Sequence, residues 1–240
     1  MHQIICFPHA GGSASAFRSW RAVVPPHVAL RVMQYPGRET RFGEPMIDRM
    51  PELVRLLTDE LMAAGLRGPY VLLGHSMGAA VAYEVAQELR RRGQPGPALL
   101  VPCARQAPTD PRPGEVHRGD DETLIAELRR LGGTPAEVLA DPDLLRTVLA
   151  VVRNDYRLSE TYVARPAPPL DCPVTVLVGD HDPDCSAEDG AGWATVTTGP
   201  ADVSVLPGDH FFLTPRRREI LALVLSRLGL PATAAWPSTP

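Results

Sequence analysis

Short apolar runs alternate with segments of helical periodicity along most of this 240-residue chain, and this alternation limits the fold more than any other feature. Neighbouring parallel strands need a long crossover between them, usually a helix, so the pattern is typical of a mostly parallel sheet flanked by helices. We therefore expect an α/β fold. The predicted strands are Gln3–Phe7, Ala29–Met33, Tyr70–Leu73, Ala98–Cys103, Val174–Val178 and Val203–Leu206.

One stretch interrupts the alternation, since residues 112–162 contain helical patterns and no strand-like run. Helices inserted at the carboxyl edge of a parallel sheet can cover the place where such sheets bind ligands. The sequence thus predicts an α/β core made of residues 1–111 and 166–240, with a helical lid at 112–165. An ordinary crossover that carries extra helices is the alternative.

Charge and composition exclude several classes of protein. The formal net charge is −4 and there is no long basic run, which argues against a nucleic-acid-binding protein. The longest apolar run near the C-terminus, Ile220–Leu225, is too short to span a bilayer. The first residues lack the basic region of a signal peptide. We expect a cytoplasmic protein without a membrane partner.

A Gly-x-Ser-x-Gly motif, Gly74–Gly78, lies between a predicted strand and a predicted helix. This is the context of a nucleophile elbow, in which a strained turn projects the serine Oγ and the glycines allow close approach of the chain. Ser76 also begins a helix, where free N–H groups favour developing negative charge. Ser76 is therefore the candidate nucleophile. The alternative is a serine that only caps the helix between two packing glycines.

A serine nucleophile needs a histidine base and a carboxylate that orients the base. In the elbow arrangement the chain order is serine, acid, histidine. His210, in a sharp loop after a predicted strand, is favoured over His181, which lies in the loop that should supply the acid. Among the aspartates of that loop, Asp182 is favoured because Asp180 is too close to the sheet and Asp184 is expected to face solvent.

An oxyanion hole needs two backbone N–H donors beside the serine. Met77, the residue after the nucleophile, supplies one, and the glycine-rich loop Phe7–Ser13 is expected to supply the other. Such a loop could instead cradle a phosphate. No Gly-Lys-Ser/Thr sequence follows it, however, and the chain contains no lysine, which excludes a nucleoside triphosphate site.

Together these motifs resemble type II thioesterases, the free-standing editing enzymes of polyketide synthase and nonribosomal peptide synthetase pathways, within the α/β-hydrolase superfamily. The resemblance extends over almost the whole chain. The matching segments are Phe7–Gly12, Tyr35–Arg41, Gly74–Gly78, Asn154–Tyr156, Glu160–Tyr162, Gly179–Pro183 and Pro207–Leu213. Residues 101–105, Val-Pro-Cys-Ala-Arg, depart from the family, which usually has a serine and a glycine there.

The resemblance implies an α/β-hydrolase fold with a mobile lid over an acyl chamber. It implies a triad of Ser76, Asp182 and His210, with the backbone N–H groups of Ala10 and Met77 as oxyanion donors. The implied reaction is hydrolysis of acyl thioesters on the phosphopantetheine arm of acyl or peptidyl carrier proteins, which clears stalled chains in antibiotic biosynthesis. No metal or organic cofactor is expected.

Three other functions stay open at this point. An esterase or acyl-CoA hydrolase that acts on free small molecules would use the same groups. Acyl transfer or cyclisation would start from the same acyl-enzyme, since the chamber decides which nucleophile attacks it. A non-catalytic binding protein of this fold is disfavoured, because every triad position is filled.

Three consecutive arginines, Arg216–Arg218, follow His210 in the first turn of a predicted helix that begins at Thr214-Pro215. The helix dipole disfavours cations at this end, so a functional reason is sought for them. We hypothesise that they dock an acidic carrier protein. The alternative is a solvated helix face, since Arg90–Arg92 forms a similar triplet at the end of another helix.

Overall fold

The computed structural model describes residues 1–66, 68–110 and 113–231. The predicted boundary between residues 111 and 112, and residues 232–240, lie outside these ranges. The strands are β1 (His2–Phe7), β2 (Val28–Val32), β3 (Tyr70–His75), β4 (Leu99–Cys103), β5 (Val174–Gly179) and β6 (Ala201–Leu206). The α-helices are α1 (Met50–Ala64), α2 (Met77–Arg91), α3 (Asp121–Leu131), α4 (Ala136–Ala140), α5 (Pro142–Glu160), α6 (Ala187–Ala191) and α7 (Arg217–Arg227).

The six strands form one parallel sheet in the order β2-β1-β3-β4-β5-β6. This confirms the predicted fold class, and each strand begins and ends within two residues of its predicted position. The strand order reverses between β1 and β3, so the loops that leave these two strands diverge and open a crevice at the carboxyl edge. Ser76 and the glycine-rich loop Phe7–Ser13 both lie at this crevice.

Alternate side chains of each strand pack on opposite layers, as a sheet covered on both faces requires. On β1, Ile5 belongs to the core shared with α1 and α2. The neighbouring Ile4 belongs to the opposite core, shared with α7 and with a 3₁₀ segment, Ala14–Ala22. This segment begins directly after the glycine-rich loop Phe7–Ser13, and its Trp20 is fully buried against the sheet.

Helices α3, α4 and α5 lie between β4 and β5 in the chain, and we call them the β4–β5 helices. They have a small apolar core of their own, formed by Leu124, Leu128, Leu149 and Val152. Asp141 caps α5, since its carboxylate accepts the backbone N–H groups of Asp143 and Leu144 at 2.9 and 3.0 Å. The three helices thus form a unit beside the main sheet core.

The last helix begins later than the sequence predicts. It starts at Arg217, whereas Thr214 and Pro215 lie in turns. Phe212 and Leu213 are buried in the core next to α7. Phe212 and Leu213 lie in a run of turns that ends at residue 216. Helix α7 begins after these turns and not at the Thr214-Pro215 pair.

The first turn of α2 packs directly on the end of β1. A Cβ atom on Gly78 would lie 2.1 Å from the carbonyl oxygen of Phe7, and one on Gly74 would lie 2.1 Å from the carbonyl oxygen of Gly78. Only glycine fits such an approach, because the opposing atoms belong to backbone that cannot turn aside. The motif glycines therefore set the distance between α2 and the sheet.

This packing predicts a large loss of stability for Gly78→Ala. We expect the free energy of unfolding to fall by about 3 kcal/mol, because the added methyl group forces α2 away from β1. Gly93→Ala is the matched control, since Gly93 has a φ of +69° but no atom within 4 Å of an added Cβ. That variant should lose only about 1 kcal/mol, the cost of the left-handed backbone. Urea denaturation measures both; equal losses would contradict the packing argument.

Candidate active site

Ser76 lies in the sharp turn between β3 and α2, with a left-handed backbone of φ 52° and ψ −117°. A residue with a side chain adopts such a conformation at a cost of about 1–2 kcal/mol. Two hydrogen bonds hold the turn, because the Ser76 N–H donates to the carbonyl of Cys103 (2.8 Å) and the Ser76 carbonyl accepts the N–H of Ala79 (2.9 Å). The turn presents a half-buried serine at the N-terminus of α2.

The imidazole of His210, in the loop after β6, contacts the carboxylate of Asp182, in the loop after β5. Its Nδ1 lies 3.0 Å from each carboxylate oxygen. The two side chains are only 4 % and 0 % exposed. An Nδ1–H that donates to the carboxylate leaves Nε2 as the nitrogen that can accept a proton. The structure thus brings together the histidine and the aspartate that the sequence singled out.

His75, directly before Ser76, contacts the loop that carries His210. Its Nε2–H donates to the carbonyl oxygen of His210 at 2.7 Å. Burial lowers the pKa of His75 well below its usual value, and the charges of His9 and His210 act in the same direction. His75 therefore stays neutral and braces the His210 loop. This role could not be predicted from the motif, because the position between Gly74 and Ser76 admits any residue.

Asp180 has a separate structural role in the loop after β5. Its carboxylate accepts the backbone N–H of Gly208 at 2.8 Å and contacts Nδ1 of His181 at 2.6 Å. The Gly208 N–H is the main cause that lowers the pKa of Asp180. Asp180 thus ties the loop after β5 to the loop after β6. Asp182 is the carboxylate that lies within hydrogen-bond distance of the His210 ring in the described part of the chain.

A cavity of about 420 Å³ opens beside Ser76 and His210. It is bounded by the glycine-rich loop, the end of β4, the loops after β5 and β6, and the β4–β5 helices. The residues that border it include His9, Ala10, Arg105, Leu128, Tyr156, Ser159 and Phe211. The cavity is large enough for a short acyl chain or a few atoms of a pantetheine arm.

His9 borders the cavity and has a buried Nδ1 without a hydrogen-bond partner. Its ring packs edge-on against His75 and Phe211, with centroids 4.9 Å apart in both pairs. Burial lowers the pKa of His9 to about 4, with smaller contributions from His210 and Arg38. His9 is therefore neutral at neutral pH and adds no positive charge beside His210. The chain order serine, acid, histidine excludes His9 as the catalytic base, because His9 precedes the serine.

The β4–β5 helices contact the loop after β5, which carries Asp182 and which we call the acid loop, through a charged cluster at the cavity edge. Arg130 on α3 pairs with Asp184 at 2.7 Å and with Glu127 at 2.7 Å. The Tyr156 hydroxyl on α5 donates to Glu127 at 3.3 Å. Asp184, predicted to face solvent, is 38 % exposed and holds this contact. One carboxylate of the acid loop thus faces His210 and another faces the helices.

The segment that departs from the family lies in the cavity wall. Ala104 has a φ of 55°, a conformation that favours glycine, and its N–H donates to the carbonyl of Leu177 at 2.9 Å. Arg105 borders the cavity, and its Nη1 donates to Ser159 Oγ at 2.6 Å. Burial lowers the pKa of Arg105. Ala104 therefore makes, in the cavity wall, a backbone turn that favours glycine.

Ala10 and Met77 are the predicted oxyanion donors; Ala10 borders the same cavity as Ser76, and Met77 follows Ser76 in the chain. Met77 is the first residue of α2, so its N–H belongs to the unpaired first turn of that helix. Ala10 lies in the loop after β1 and borders the cavity. Both residues are therefore near enough to the crevice for their N–H groups to be considered as oxyanion donors.

The arginine triplet at α7 is only partly free to meet a partner. Arg216 donates from Nε to the carbonyl of Pro207 at 3.0 Å, and Arg217 donates from Nη1 to that of Thr214 at 2.8 Å. Arg218 is exposed. Two of the three side chains therefore support the chain between β6 and α7, which the sequence did not indicate.

A larger cavity, about 890 Å³, lies between α1, α2 and the end of α5. Neither Ser76, Asp182 nor His210 borders it; its walls carry mixed charge from residues such as Arg49, Glu84 and Arg165. Size alone does not identify the reactive site, so we assign the site from the contact between His210 and Asp182, which lies beside the smaller cavity.

Within residues 1–66, 68–110 and 113–231, His, Cys, Asp and Glu side chains form no group of three or more that could hold a metal ion. None of the helices in these ranges combines the length and the apolar character needed to cross a bilayer.

The chain matches the thioesterase domain family model over residues 2–228. A probable cadicidin biosynthesis thioesterase of Streptomyces griseus is 42 % identical over 212 residues, which cover 88 % of this chain and 58 % of that protein, a little over half its length. The thioesterase PikA5 of Streptomyces venezuelae is 39 % identical, over 91 % of this chain and 78 % of that protein.

Solved structures agree with these sequence relatives. The RedJ thioesterase from the prodiginine biosynthetic pathway in Streptomyces coelicolor superposes with a TM-score of 0.89 at 38 % identity, over 94 % of this chain and 85 % of that chain. Sequence, sheet topology and fold similarity point the same way: the chain belongs to the thioesterase family, is a serine thioesterase with the α/β-hydrolase fold, and is similar to type II thioesterases of polyketide and nonribosomal peptide pathways.

Proposed function

We propose that this thioesterase hydrolyses acyl groups from the phosphopantetheine arm of carrier proteins through a Ser76–His210–Asp182 triad. The observation that carries the proposal is the buried contact of His210 Nδ1 with the Asp182 carboxylate, beside a cavity that Ser76 shares. A buried carboxylate on one ring nitrogen fixes the tautomer that leaves the other nitrogen basic.

The first half of the reaction forms an acyl-enzyme. His210 Nε2 takes the proton from Ser76 Oγ as the oxygen attacks the thioester carbonyl. The N–H groups of Met77 and Ala10 donate to the oxyanion of the tetrahedral intermediate. The C–S bond then breaks, and the proton on His210 passes to the sulfur of the departing phosphopantetheine thiol.

The second half releases the acid. A water molecule gives a proton to His210 Nε2 and attacks the acyl-enzyme carbonyl, and the same two N–H groups bind the oxyanion. The bond to Ser76 Oγ breaks, the serine recovers its proton from the imidazolium, and the carboxylic acid leaves. Asp182 stabilises the imidazolium in both halves without taking its proton.

The choice of a carrier-bound substrate is supported by the relatives and by the cavity. Two of the relatives are thioesterases of the cadicidin and prodiginine biosynthetic pathways. The resemblance to type II thioesterases implies that the acyl group is held on a carrier protein. The β4–β5 helices border the cavity opposite the sheet, through Leu128 and Tyr156, so we assign residues 112–165 as a lid over the acyl chain. Helices in this place admit a substrate arm from the protein surface and exclude water from the ester.

Arg218 and its neighbours are assigned as part of the docking surface for an acidic carrier protein. The triplet Arg216–Arg218 begins α7 at the carboxyl edge of the sheet, the edge that holds Ser76. The comparable triplet Arg90–Arg92 ends α2 and so lies at the opposite edge. A cationic surface on the cavity side would steer an acidic partner toward the serine.

Ser76→Ala is expected to lower kcat by roughly 10⁴- to 10⁶-fold, because no nucleophile remains to form the acyl-enzyme. Mass spectrometry after treatment with a fluorophosphonate should find the label on Ser76 alone. Ser159→Ala removes another serine that borders the same cavity and should still be labelled. Labelling of the Ser76→Ala variant would contradict the nucleophile assignment.

Asp182→Asn is expected to lower kcat by roughly 10³- to 10⁴-fold, since the amide cannot hold the reactive tautomer of His210. Asp180→Asn is the matched control, because an amide oxygen there still accepts the Gly208 N–H. It should keep kcat within about threefold of the parent. Steady-state kinetics on a short acyl thioester measures both variants. A severe loss in Asp180→Asn with little loss in Asp182→Asn would show that the acid is misassigned.

Arg218→Glu is expected to lower kcat/KM for an acyl-carrier protein by about 3- to 10-fold at low salt, with the loss shrinking as salt rises. Hydrolysis of a small thioester should not change. Arg91→Glu, an exposed arginine at the opposite edge of the sheet, serves as the control. The docking assignment fails when both variants respond alike, or when Arg218→Glu slows the two substrates equally.

A further inference from the structure

A buried ion pair joins two family-like segments that the triad does not use. Arg38 Nη1 and Nη2 contact Asp155 Oδ2 and Oδ1 at 2.5 and 2.8 Å, although 117 positions separate the residues in the chain. Their side chains are only 7 % and 2 % exposed. Burial of two charges is costly unless every polar atom is satisfied, so a pair of this kind invites a functional explanation.

Both partners of the pair also bind the glycine-rich loop. The N–H of Gly11 donates to Asp155 Oδ2 at 2.8 Å. Arg38 Nη1 donates to the carbonyl of Gly12 at 3.2 Å. These two contacts lie immediately after Ala10, whose N–H is the proposed oxyanion donor.

A third contact holds the loop on the other side of Ala10. The hydroxyl of Tyr35, from the same segment as Arg38, donates to the carbonyl of Pro8 at 3.0 Å and is buried. Gly11 has a φ of +77°, and a Cβ atom there would lie 2.8 Å from Val152 on α5. The loop is therefore fixed before and after Ala10, and it packs closely on α5.

The carboxylate of Asp155 has no spare acceptor capacity. Oδ2 accepts from Gly11 and Arg38, and Oδ1 accepts from Arg38 and from Asn154 Nδ2 at 3.1 Å. Four donors converge on two oxygens, which is about the full capacity of an ionised carboxylate. Neither oxygen can change partner without releasing Gly11 of the loop, Arg38 or the side chain of Asn154.

We propose that Asp155, oriented by Arg38, is a positioning residue that aims the Ala10 N–H at the oxyanion. The inference rests on the proposed function, because it concerns the oxyanion hole of that reaction. It also makes α5 part of the catalytic scaffold: movement of its C-terminal half away from the sheet would pull the acceptor from Gly11 and dismantle the oxyanion hole. Chemistry then requires α5 in its docked position.

The test is a double variant, Arg38→Met with Asp155→Leu, which removes both buried charges and the acceptor for Gly11. Replacing a complete buried pair by apolar groups often preserves folding, so activity can be measured on folded protein. For a short acyl N-acetylcysteamine thioester we expect kcat to fall 10- to 100-fold with KM within threefold, since a misaimed donor affects the transition state. Affinity for a trifluoromethyl ketone, which forms a tetrahedral adduct on the serine, should fall by the same factor as kcat/KM.

Asp121→Asn is the matched control, because it breaks an exposed ion pair with Arg153 that joins α3 to α5 without touching the loop. It should leave kcat and inhibitor affinity unchanged. A folded double variant with kcat within twofold of the parent would overturn the proposal. Should the double variant not fold, Arg38→Gln with Asp155→Leu, which removes the same acceptor but keeps an amide donor near the Gly12 carbonyl, is judged by the same criterion. A parent enzyme that hydrolyses no thioester would instead refute the proposed function, so the two failures are distinct.

Discussion

The strained backbone of Ser76 is the constraint on which the rest of the structure depends. Its left-handed backbone costs about 1–2 kcal/mol. The conformation persists because the surrounding backbone atoms exclude the alternatives. Gly74 and Gly78 meet backbone atoms at distances that exclude a Cβ, and the Ser76 N–H is held by β4. The same contacts bring the end of β1 against α2. The glycine-rich loop is therefore beside the serine as a consequence of the elbow itself.

The two histidines near His210, His9 and His75, are neutral, so they place no positive charge beside its ring. Burial lowers the pKa of both His9 and His75. The His75 ring packs against the ring of His210, and the His9 ring packs against His75. In the proposed reaction, a proton gained by His210 would therefore meet the Asp182 carboxylate on one side and an uncharged ring on the other. A second imidazolium there would oppose that proton, since like charges at this separation repel strongly in a buried site. The ring cluster supplies shape and a brace for the His210 loop without competing for the proton.

The strands, and the placement of Ser76, Asp182 and His210 at one edge of the sheet, could be predicted from the sequence because their signals are local. Apolar runs define strands, and each of these three residues follows a strand within a few positions. Arg38 and Asp155 could not be joined in this way, because their pairing depends on how α5 folds back over the sheet across 117 positions. The start of α7 was predicted wrongly for a related reason: a Thr-Pro pair is a local signal, and burial of Phe212 overrode it.

The β4–β5 helices are held to the rest of the protein by a partly exposed ion pair on α3 and by a buried ion pair on α5. Helix α3 meets the acid loop through Arg130 and Asp184, a partly exposed pair of the kind that contributes about 0–1 kcal/mol and weakens with salt. The C-terminal half of α5 is fixed by the buried Asp155, whose removal alone would leave the Arg38 charge without a partner. If the proposed lid opens for a substrate arm, its opening would therefore break the contacts of α3 far more readily than those of α5. Access to the cavity and assembly of the proposed oxyanion hole would then depend on different ends of the same group of helices.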